Sequence, residues 1–344
     1  MNDDSTSRQR RHAWAVFTAV IAIFAWLVIR DAWLCDDAFI TFRVVDNFLN
    51  DYGLRWNVVD RVQVFTHPLW CFLLVPIGWL VGNLPLAVMW ISIVLSIVAF
   101  LLIAPRPGRE NWDLVLLALL IPASKAVVQF ATSGLEGPLA YLLLVLLILA
   151  GGGLKPDWHR NDRWVPLLSA AIVLTRPDLV LIVAPFCIAW VARKGFRRAA
   201  VSIGAGAAVI AIWEIFSFFY YGILFPNTAL AKLYTGLPFF DGVLQGLQYV
   251  VDFLLRDPAG VVGLVTCVLL LMFRRNDLQA RAVCAGILFY LLFVVAIGGD
   301  FMSGRFFAVP VFLAVAEAIR TNGENTRPLA DSFPGASAAA IILV

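Results

Sequence analysis

Long apolar runs alternate with short polar segments along almost the whole chain. The first run extends from Trp14 to Ile29, and similar runs recur until Ile319. Runs of about 17–25 apolar residues match the hydrocarbon thickness of a bilayer. The pattern therefore predicts an all-α polytopic membrane protein, a bundle of about 10–11 transmembrane helices.

Basic residues orient these predicted spans. Arg8, Arg10 and Arg11 precede the first run, and cytoplasmic segments carry an excess of Lys and Arg. The N-terminus is therefore predicted to be cytoplasmic, and the segment Leu34–Trp70 to be extracytoplasmic. The same rule assigns the later clusters of Lys and Arg to the cytoplasmic side.

A short apolar run after that loop can be placed in two ways. Leu69–Val81 contains Pro76 and is followed, after a Gly-Asn-Leu-Pro sequence, by a full-length span, Leu86–Ala104. If both pieces crossed the membrane, Arg106 and Arg109 would lie outside. If the first lies along the outer face, these arginines lie inside, and we prefer this placement.

The composition supports a membrane protein and excludes one class of partner. Hydrophobic residues make up 61% of the chain and charged residues 14%, with a mean hydropathy of +0.87. Soluble domains average about half apolar and about a quarter charged. A net charge of +3 is too small to indicate nucleic-acid binding. The five cysteines show no CxxC or paired spacing.

Polar residues other than the cytoplasmic arginines collect at the predicted outer face. They begin in Leu34–Trp70 and recur in four later loops, in the sequences SGLEGP, TRPD, FPNTALAK and GGDFMSGR. Ionisable groups at membrane depth are costly and usually functional. The pattern therefore predicts a water-filled cavity at the outer leaflet, ringed by carboxylates and cations.

The adjacent carboxylates Asp36 and Asp37 can be interpreted in two ways. As a structural feature, one of them caps the amphipathic helix predicted for the following residues AFITFRVVDNFL. As a functional feature, one of them is a general base at the boundary between apolar and polar residues. Both interpretations can hold, with one Asp capping and the other catalytic.

The cations of the outer loops also have two interpretations. Arg43, Arg61, Arg176, Lys232 and Arg305 could each pair with a carboxylate or extend to the membrane interface. As a set they could instead hold a phosphate, which Arg binds in bidentate geometry. The lone His67 is a ligand or an acid in one interpretation and a packed, hydrogen-bonded residue in the other, so metal binding stays unassigned.

The first loop, DDAFITFR…YGLRWN…RVQVFTHPLW, resembles the first extracytoplasmic loop of GT-C-type membrane glycosyltransferases. The branch it resembles contains the actinobacterial terminal arabinofuranosyltransferase, whose loop also begins with a double Asp. TSGLEGPL, LTRPD, YYGILFPNTALAKLY and GGDFMSGRF are similar in the same order. The resemblance covers most of the chain and is specific to a branch of the superfamily, not to one sugar.

The resemblance implies an inverting-type transfer of a sugar, arabinofuranose being one candidate, from a polyprenyl-phosphate donor to a cell-envelope glycan or lipid. Asp36 or Asp37 would be the general base, and basic residues would hold the donor phosphate. The substrate-binding candidates are Arg43, Arg61, Gln63, His67, Glu136, Arg176, Asp178, Asn227, Lys232, Asp300 and Arg305. No cofactor is assigned, and a divalent cation is left open.

The resemblance also implies a domain organisation and a location. Residues 1–320 would form a GT-C-like transmembrane catalytic domain, in which residues 31–85 form the first extracytoplasmic loop with juxtamembrane helices. Residues 321–344 would be a cytoplasmic linker and the start of a further span, since the final apolar stretch is too short to cross a bilayer. The protein is expected in the bacterial inner membrane, with its active site facing outward.

Two functions of other classes compete with the transferase. A transporter or flippase for a lipid-linked substrate would place polar residues along several spans near the membrane midplane. The predicted spans contain few charges, Glu214 and Glu317 being the exceptions, which favours an enzyme. A non-catalytic subunit would leave the polar cluster of the outer face without a reason.

Overall fold

The computed structural model describes residues 2–104, 112–152, 160–224, 238–274 and 276–322. Over those ranges the chain is helical and contains no β-strand. The α-helices are α1 (Asn2–Arg30), α2 (Asp36–Leu49), α3 (Pro68–Val81), α4 (Leu84–Ile103), α5 (Trp112–Ala123), α6 (Lys125–Gln129), α7 (Gly137–Gly151), α8 (Val165–Thr175), α9 (Val180–Lys194), α10 (Phe196–Tyr221), α11 (Phe239–Arg256), α12 (Pro258–Met272), α13 (Leu278–Ala296) and α14 (Arg305–Asn322). Short 3-10 segments, Arg160–Trp164 and Pro177–Leu179, precede α8 and α9.

Several of these helices have the length and composition of membrane spans. Three of them, α4, α10 and α13, are long and apolar enough to cross a bilayer, and α11 with α12 adds a fourth if that bent pair is one span. The apolar helices α3 and α7 and the apolar parts of α1 and α5 are shorter. An all-α membrane protein is thereby confirmed, while the GT-C-like bundle of about 10–11 spans stays a prediction.

The first loop contains two helices, as the sequence predicts. Ala38, Phe42 and Val45 of α2 are buried and repeat at helical spacing, while Phe39 is exposed, so α2 is amphipathic. Helix α3 begins at Pro68, whose fixed φ suits the first turn of a helix. The two helices pack against each other and hold the loop in one arrangement.

Helix α11 lies between α10 and α12, in a segment whose apolar residues do not form a continuous run. Its buried residues Gly246, Tyr249 and Phe253 share one face, and apolar residues such as Leu244 and Leu255 are exposed elsewhere. Polar residues interrupt the apolar run at helical intervals, so the segment shows a 3.6-residue period but no continuous span. The axes of α11 and α12 differ by 107°, which is typical of a helix lying across the end of a span.

Helix α14 is the centre of the bundle. Almost all of its residues after Arg305 are buried, and it packs against α5, α7, α12 and α13. The rings of Phe312 and Tyr141 of α7 stack with centroids 4.5 Å apart, and those of Phe307 and Phe253 of α11 with centroids 4.2 Å apart. This packing fixes the position of Arg305, the first residue of the helix.

Substituting Gly246 with Ala tests the packing of α11 on α13. A Cβ atom at Gly246 would overlap the backbone carbonyl of Val295, and backbone cannot move aside as a side chain can. We expect a loss of about 1–3 kcal/mol in the free energy of unfolding, measured by thermal unfolding in detergent. Gly204→Ala is the matched control, since no atom lies within 4 Å of its added Cβ. An equal loss in both variants would contradict this packing.

Candidate active site

Several helix ends meet at one end of the bundle and bring charged residues together. Asp37 lies in the first turn of α2, and Arg305 begins α14. His67 and Glu136 are the N-cap residues of α3 and α7. Arg176 follows the last residue of α8. Helix ends leave backbone groups free and side chains accessible. This arrangement therefore places charged side chains close together at the edge of an apolar bundle.

The loop before α7 positions the start of α2. The Cys35 amide donates to the Ser133 carbonyl at 2.9 Å, and the indole of Trp70 donates to the Gly134 carbonyl at 3.2 Å. Gly134 has φ +82°, and an added Cβ would lie 2.7 Å from the Cβ of Ala38. A side chain at this position would therefore displace α2. The TSGLEGP sequence thus positions the helix that carries the double Asp.

The two adjacent carboxylates have different environments. Asp36 is exposed, and its Oδ1 accepts the amide of Asp37 at 3.0 Å. The side chain of Asp37 is 34% exposed, and its Oδ2 lies 3.4 Å from Nη1 of Arg305. The N-cap of α2 is Cys35, so the expectation that one Asp is the cap residue is wrong. Both carboxylates lie one or two residues later, in the first turn, where the helix dipole favours negative charge.

Arg305 links Asp37 to a second, deeply buried carboxylate. Nη1 of Arg305 lies 3.1 Å from Oδ2 of Asp300, whose side chain is 2% exposed. The same Nη1 contacts Asp37. Nε of Arg305 is buried and has no hydrogen-bond partner among the described residues. The guanidinium therefore retains a donor that neither carboxylate uses.

A buried network lies beside this pair. Nδ1 of His67 is 3.3 Å from Oε2 of Glu136, and Nε2 of His67 is 2.7 Å from Oγ1 of Thr41. Nε of Arg176 is 3.7 Å from Oε1 of Glu136. All four side chains are buried, so their interactions are little screened by solvent.

Arg176 has a second set of partners. Its Nη2 lies 2.5 Å from Oδ2 of Asp178 and donates to the hydroxyl of Tyr290 at 2.8 Å. That hydroxyl donates to Oδ2 of Asp178 at 2.9 Å. The plane of Phe306 lies under the guanidinium, 5.5 Å from the ring centroid. Arg176 is thus held by a carboxylate, a phenol and an aromatic ring.

The charges of the network set the ionisation of its carboxylates. Burial alone would raise the pKa of Glu136, but His67, Arg305 and Arg176 together hold this pKa below its usual range. Burial would likewise raise the pKa of Asp178, and Arg176 holds it below the usual value. Both carboxylates are therefore ionised at neutral pH.

Three of the predicted substrate-binding residues lie apart from this cluster. Arg43 is exposed and stacks over Trp56 at 4.4 Å, and Arg61 is exposed over Tyr220 at 5.2 Å. Gln63 is buried, and its Oε1 accepts the hydroxyl of Ser217 at 2.9 Å. These contacts hold the first loop against itself and against α10. Two further predicted residues, Asn227 and Lys232, lie outside the described residues.

The structure adds two residues to the cluster that the sequence analysis did not select. Thr41 lies four residues after Asp37, and this spacing places both on one face of α2, so the helical period could have indicated it. Tyr290 lies within an apolar run, where nothing distinguishes it from a packed aromatic residue. Among the described residues, no group of three or more His, Cys, Asp or Glu side chains has the geometry to hold a metal ion.

Comparison with known proteins agrees with the motifs of the first loop. No protein-family model and no solved structure matches the chain. The "terminal beta-(1->2)-arabinofuranosyltransferase" of Mycobacterium tuberculosis is 31% identical over 348 residues, 88% of this chain and 54% of that protein. The protein of the same name from Corynebacterium glutamicum is 27% identical over 364 residues, 87% of this chain and 49% of its own length. The chain spans about half the length of these relatives. The resemblance seen in the motifs is thereby confirmed: over most of its length, the chain is a homologue of the actinobacterial terminal arabinofuranosyltransferases.

Proposed function

We propose that this chain is the catalytic part of a membrane glycosyltransferase of the GT-C type. It moves a sugar, with arabinofuranose as the first candidate, from a polyprenyl-phosphate donor to a cell-envelope glycan or lipid. The observation that carries this proposal is the contact between Asp37 and Arg305, which joins a carboxylate and a phosphate-binding cation at one end of the apolar bundle. The names of the two relatives support the sugar class.

In this proposal Asp37 is the general base. Its carboxylate accepts the proton of the acceptor hydroxyl while that oxygen forms a bond to the anomeric carbon of the donor sugar. The bond between the anomeric carbon and the phosphate oxygen breaks, and polyprenyl phosphate leaves with the bonding electrons. Asp37 suits the role better than Asp36, because Asp36 is exposed and contacts the backbone of its own helix.

Arg305 is the residue that we assign to the leaving phosphate. Negative charge grows on the phosphate as the bond breaks, and a preorganised donor at that position stabilises the transition state. Buried donors are nearly always hydrogen-bonded, so the unpartnered Nε of Arg305 is suited to a phosphate oxygen. Asp300 holds the guanidinium from the other side and fixes its orientation.

The proposed location follows from the distribution of basic residues. The N-terminus is cytoplasmic and the Asp37 site faces outward from the bacterial inner membrane. Helices α3 and α11 lie along the outer interface, where the lipid part of the donor stays in the bilayer while its phosphate and sugar reach the site.

The alternative, a transporter for a lipid-linked substrate, predicts buried charges near the middle of several spans. In the described ranges the buried ionisable groups lie at helix ends instead. Arg176 follows α8, Arg305 begins α14, and Glu317 with Arg320 lies in the last turns of α14. Arg176 and Arg305 lie at one end of the bundle and Glu317 with Arg320 at the other, so in the described ranges these charges do not line a path through the bundle, which favours an enzyme over a transporter.

Substituting Arg305 with Lys tests the assignment to the phosphate. Lys keeps the charge but loses the planar set of donors, so we expect kcat/KM for a polyprenyl-phosphate arabinofuranose donor to fall about 10²–10³-fold. The measurement is release of polyprenyl phosphate by the protein in lipid nanodiscs. Arg43→Lys is the matched control, because Arg43 stacks on Trp56 outside the cluster. Unchanged transfer by the Arg305 variant would contradict the assignment.

A further inference from the structure

We propose that Thr41, His67 and Glu136 form a buried relay that positions Asp37 for catalysis. This inference rests on the proposed function, because it assigns the relay a role in the reaction of Asp37. His67 is then a positioning residue and does not bind substrate, which differs from the role that the sequence resemblance implies for it.

The relay joins three structural elements through one imidazole ring. His67 precedes α3, and its two ring nitrogens point in opposite directions. Nε2 is 2.7 Å from the hydroxyl of Thr41 on α2, and Nδ1 is 3.3 Å from the carboxylate of Glu136 before α7. Thr41 is 1% exposed, His67 8% and Glu136 4%, so no bulk water competes for these contacts.

The chemistry of the two partners gives the imidazole one tautomer. An ionised carboxylate beside Nδ1 favours the tautomer with the proton on Nδ1 of His67, although the 3.3 Å contact with Oε2 of Glu136 is electrostatic and lacks hydrogen-bond geometry. Nε2 of a neutral ring then has only a lone pair, which accepts the hydroxyl proton of Thr41. The hydroxyl of Thr41 then meets an acceptor on His67, and the Nδ1 proton faces the carboxylate of Glu136.

Burial favours the neutral form of the ring. The charged groups that face His67 are Glu136, Arg305 from α14, Arg176 from the end of α8 and Asp37 from α2. Burial has the largest effect and lowers the pKa of His67, and the two arginines lower it further against the opposing carboxylates. Below neutral pH the ring therefore resists protonation more than a free histidine does.

The relay acts on Asp37 through the geometry of α2. Thr41 is four residues after Asp37, so both side chains lie on the same face of the helix, one turn apart. The Cys35 side chain makes no capping hydrogen bond, so the first turn depends on contacts with its neighbours. Asp37 and Arg305 are 3.4 Å apart, and a small rotation of α2 would open this contact. Misplacing a reacting group by about 1 Å can lower a rate about 10²-fold.

The first test compares Thr41→Val, which removes the hydroxyl at nearly constant volume, with Thr41→Ser, which keeps it. We expect Thr41→Val to lower kcat about 10–100-fold with KM for the donor unchanged, and Thr41→Ser to restore most of kcat. Thr321→Val is the control, since it removes another buried hydroxyl at the far end of α14 and should leave kcat unchanged. A higher KM with normal kcat would contradict positioning and indicate a substrate contact.

The second test does not depend on activity. In the full chain with His12→Gln and His159→Gln, the remaining ¹⁵N-labelled histidine is His67, and its ring shifts report the tautomer. At pH 7 we expect a single population of His67 in this protein, the neutral Nδ1–H form. After Thr41→Val we expect the ring to populate more than one form. A dominant Nε2–H form or an imidazolium ring would overturn the relay. If the tautomer is as expected but Asp37→Asn retains transfer, the proposed function fails while the buried arrangement stands.

Discussion

Replacing Asp37 with Asn is expected to lower the transfer rate about 10²–10⁴-fold while the protein stays folded. The amide has nearly the size of the carboxylate but cannot take the proton of the acceptor hydroxyl. Its neighbour Arg305 retains Asp300 as a partner, so the site keeps its charge balance in part. The measurement is kcat of the protein in nanodiscs with a saturating polyprenyl-phosphate sugar, alongside its thermal unfolding temperature.

Asp36→Asn is the matched control for this experiment. Asp36 precedes Asp37 in the same turn, but it is exposed, and its recorded contact is to the amide of Asp37. We expect its kcat to stay within several-fold of the unsubstituted protein. If the Asp36 variant were inactive and the Asp37 variant active, the general base would be Asp36. Full activity in both variants would remove the proposed role of the double Asp.

Replacing Arg176 with Met is expected to destabilise the protein by about 3–5 kcal/mol. The substitution keeps the apolar contact with Phe306 but removes the cation that faces Asp178 and Glu136. Both carboxylates would then be buried with less compensating charge, which is more costly than losing an exposed ion pair. The free energy is measured by thermal or denaturant unfolding in detergent, with the intact protein as reference.

A second substitution and a change of pH separate this explanation from a packing defect. Arg176→Met combined with Asp178→Leu should regain part of the lost stability, because the carboxylate nearest to Arg176 is then no longer left without its cation. Arg176 lowers the pKa of Asp178 in the folded protein. The stability from this pair is therefore present above the unfolded pKa and is lost as pH falls through the folded value. The difference between Arg176→Met and the intact protein should accordingly shrink in acid. A difference independent of pH would indicate packing alone.

The class of the protein and most of its helices could be predicted from the sequence, because they depend on local composition. An apolar run such as Leu86–Ala104 has one stable state in a bilayer, a helix, and the structure places α4 there. The amphipathic α2 was also accessible, since its buried residues repeat at a helical period. Helix α11 was not predicted, because its polar residues interrupt the apolar run. The helix against which it packs, α13, is also distant in sequence.

The sequence indicated which residues belong to the candidate site, but not which of them contact one another. Motif resemblance selected Asp37, His67, Glu136, Arg176 and Arg305, because catalytic residue types recur in each outer loop. Composition and spacing do not say which charges meet.

That pairing depends on how helix ends far apart in the chain are brought together around α14. Arg305 lies 268 residues from Asp37, and Tyr290 joins the site from an apolar helix with no sequence signal. The residue types and the helices follow from local physical chemistry along the chain. The contact of Arg305 with Asp37, the position of His67 between Thr41 and Glu136 and the stacking of Arg43 on Trp56 depend on the packing of the chain, which only the folded bundle defines.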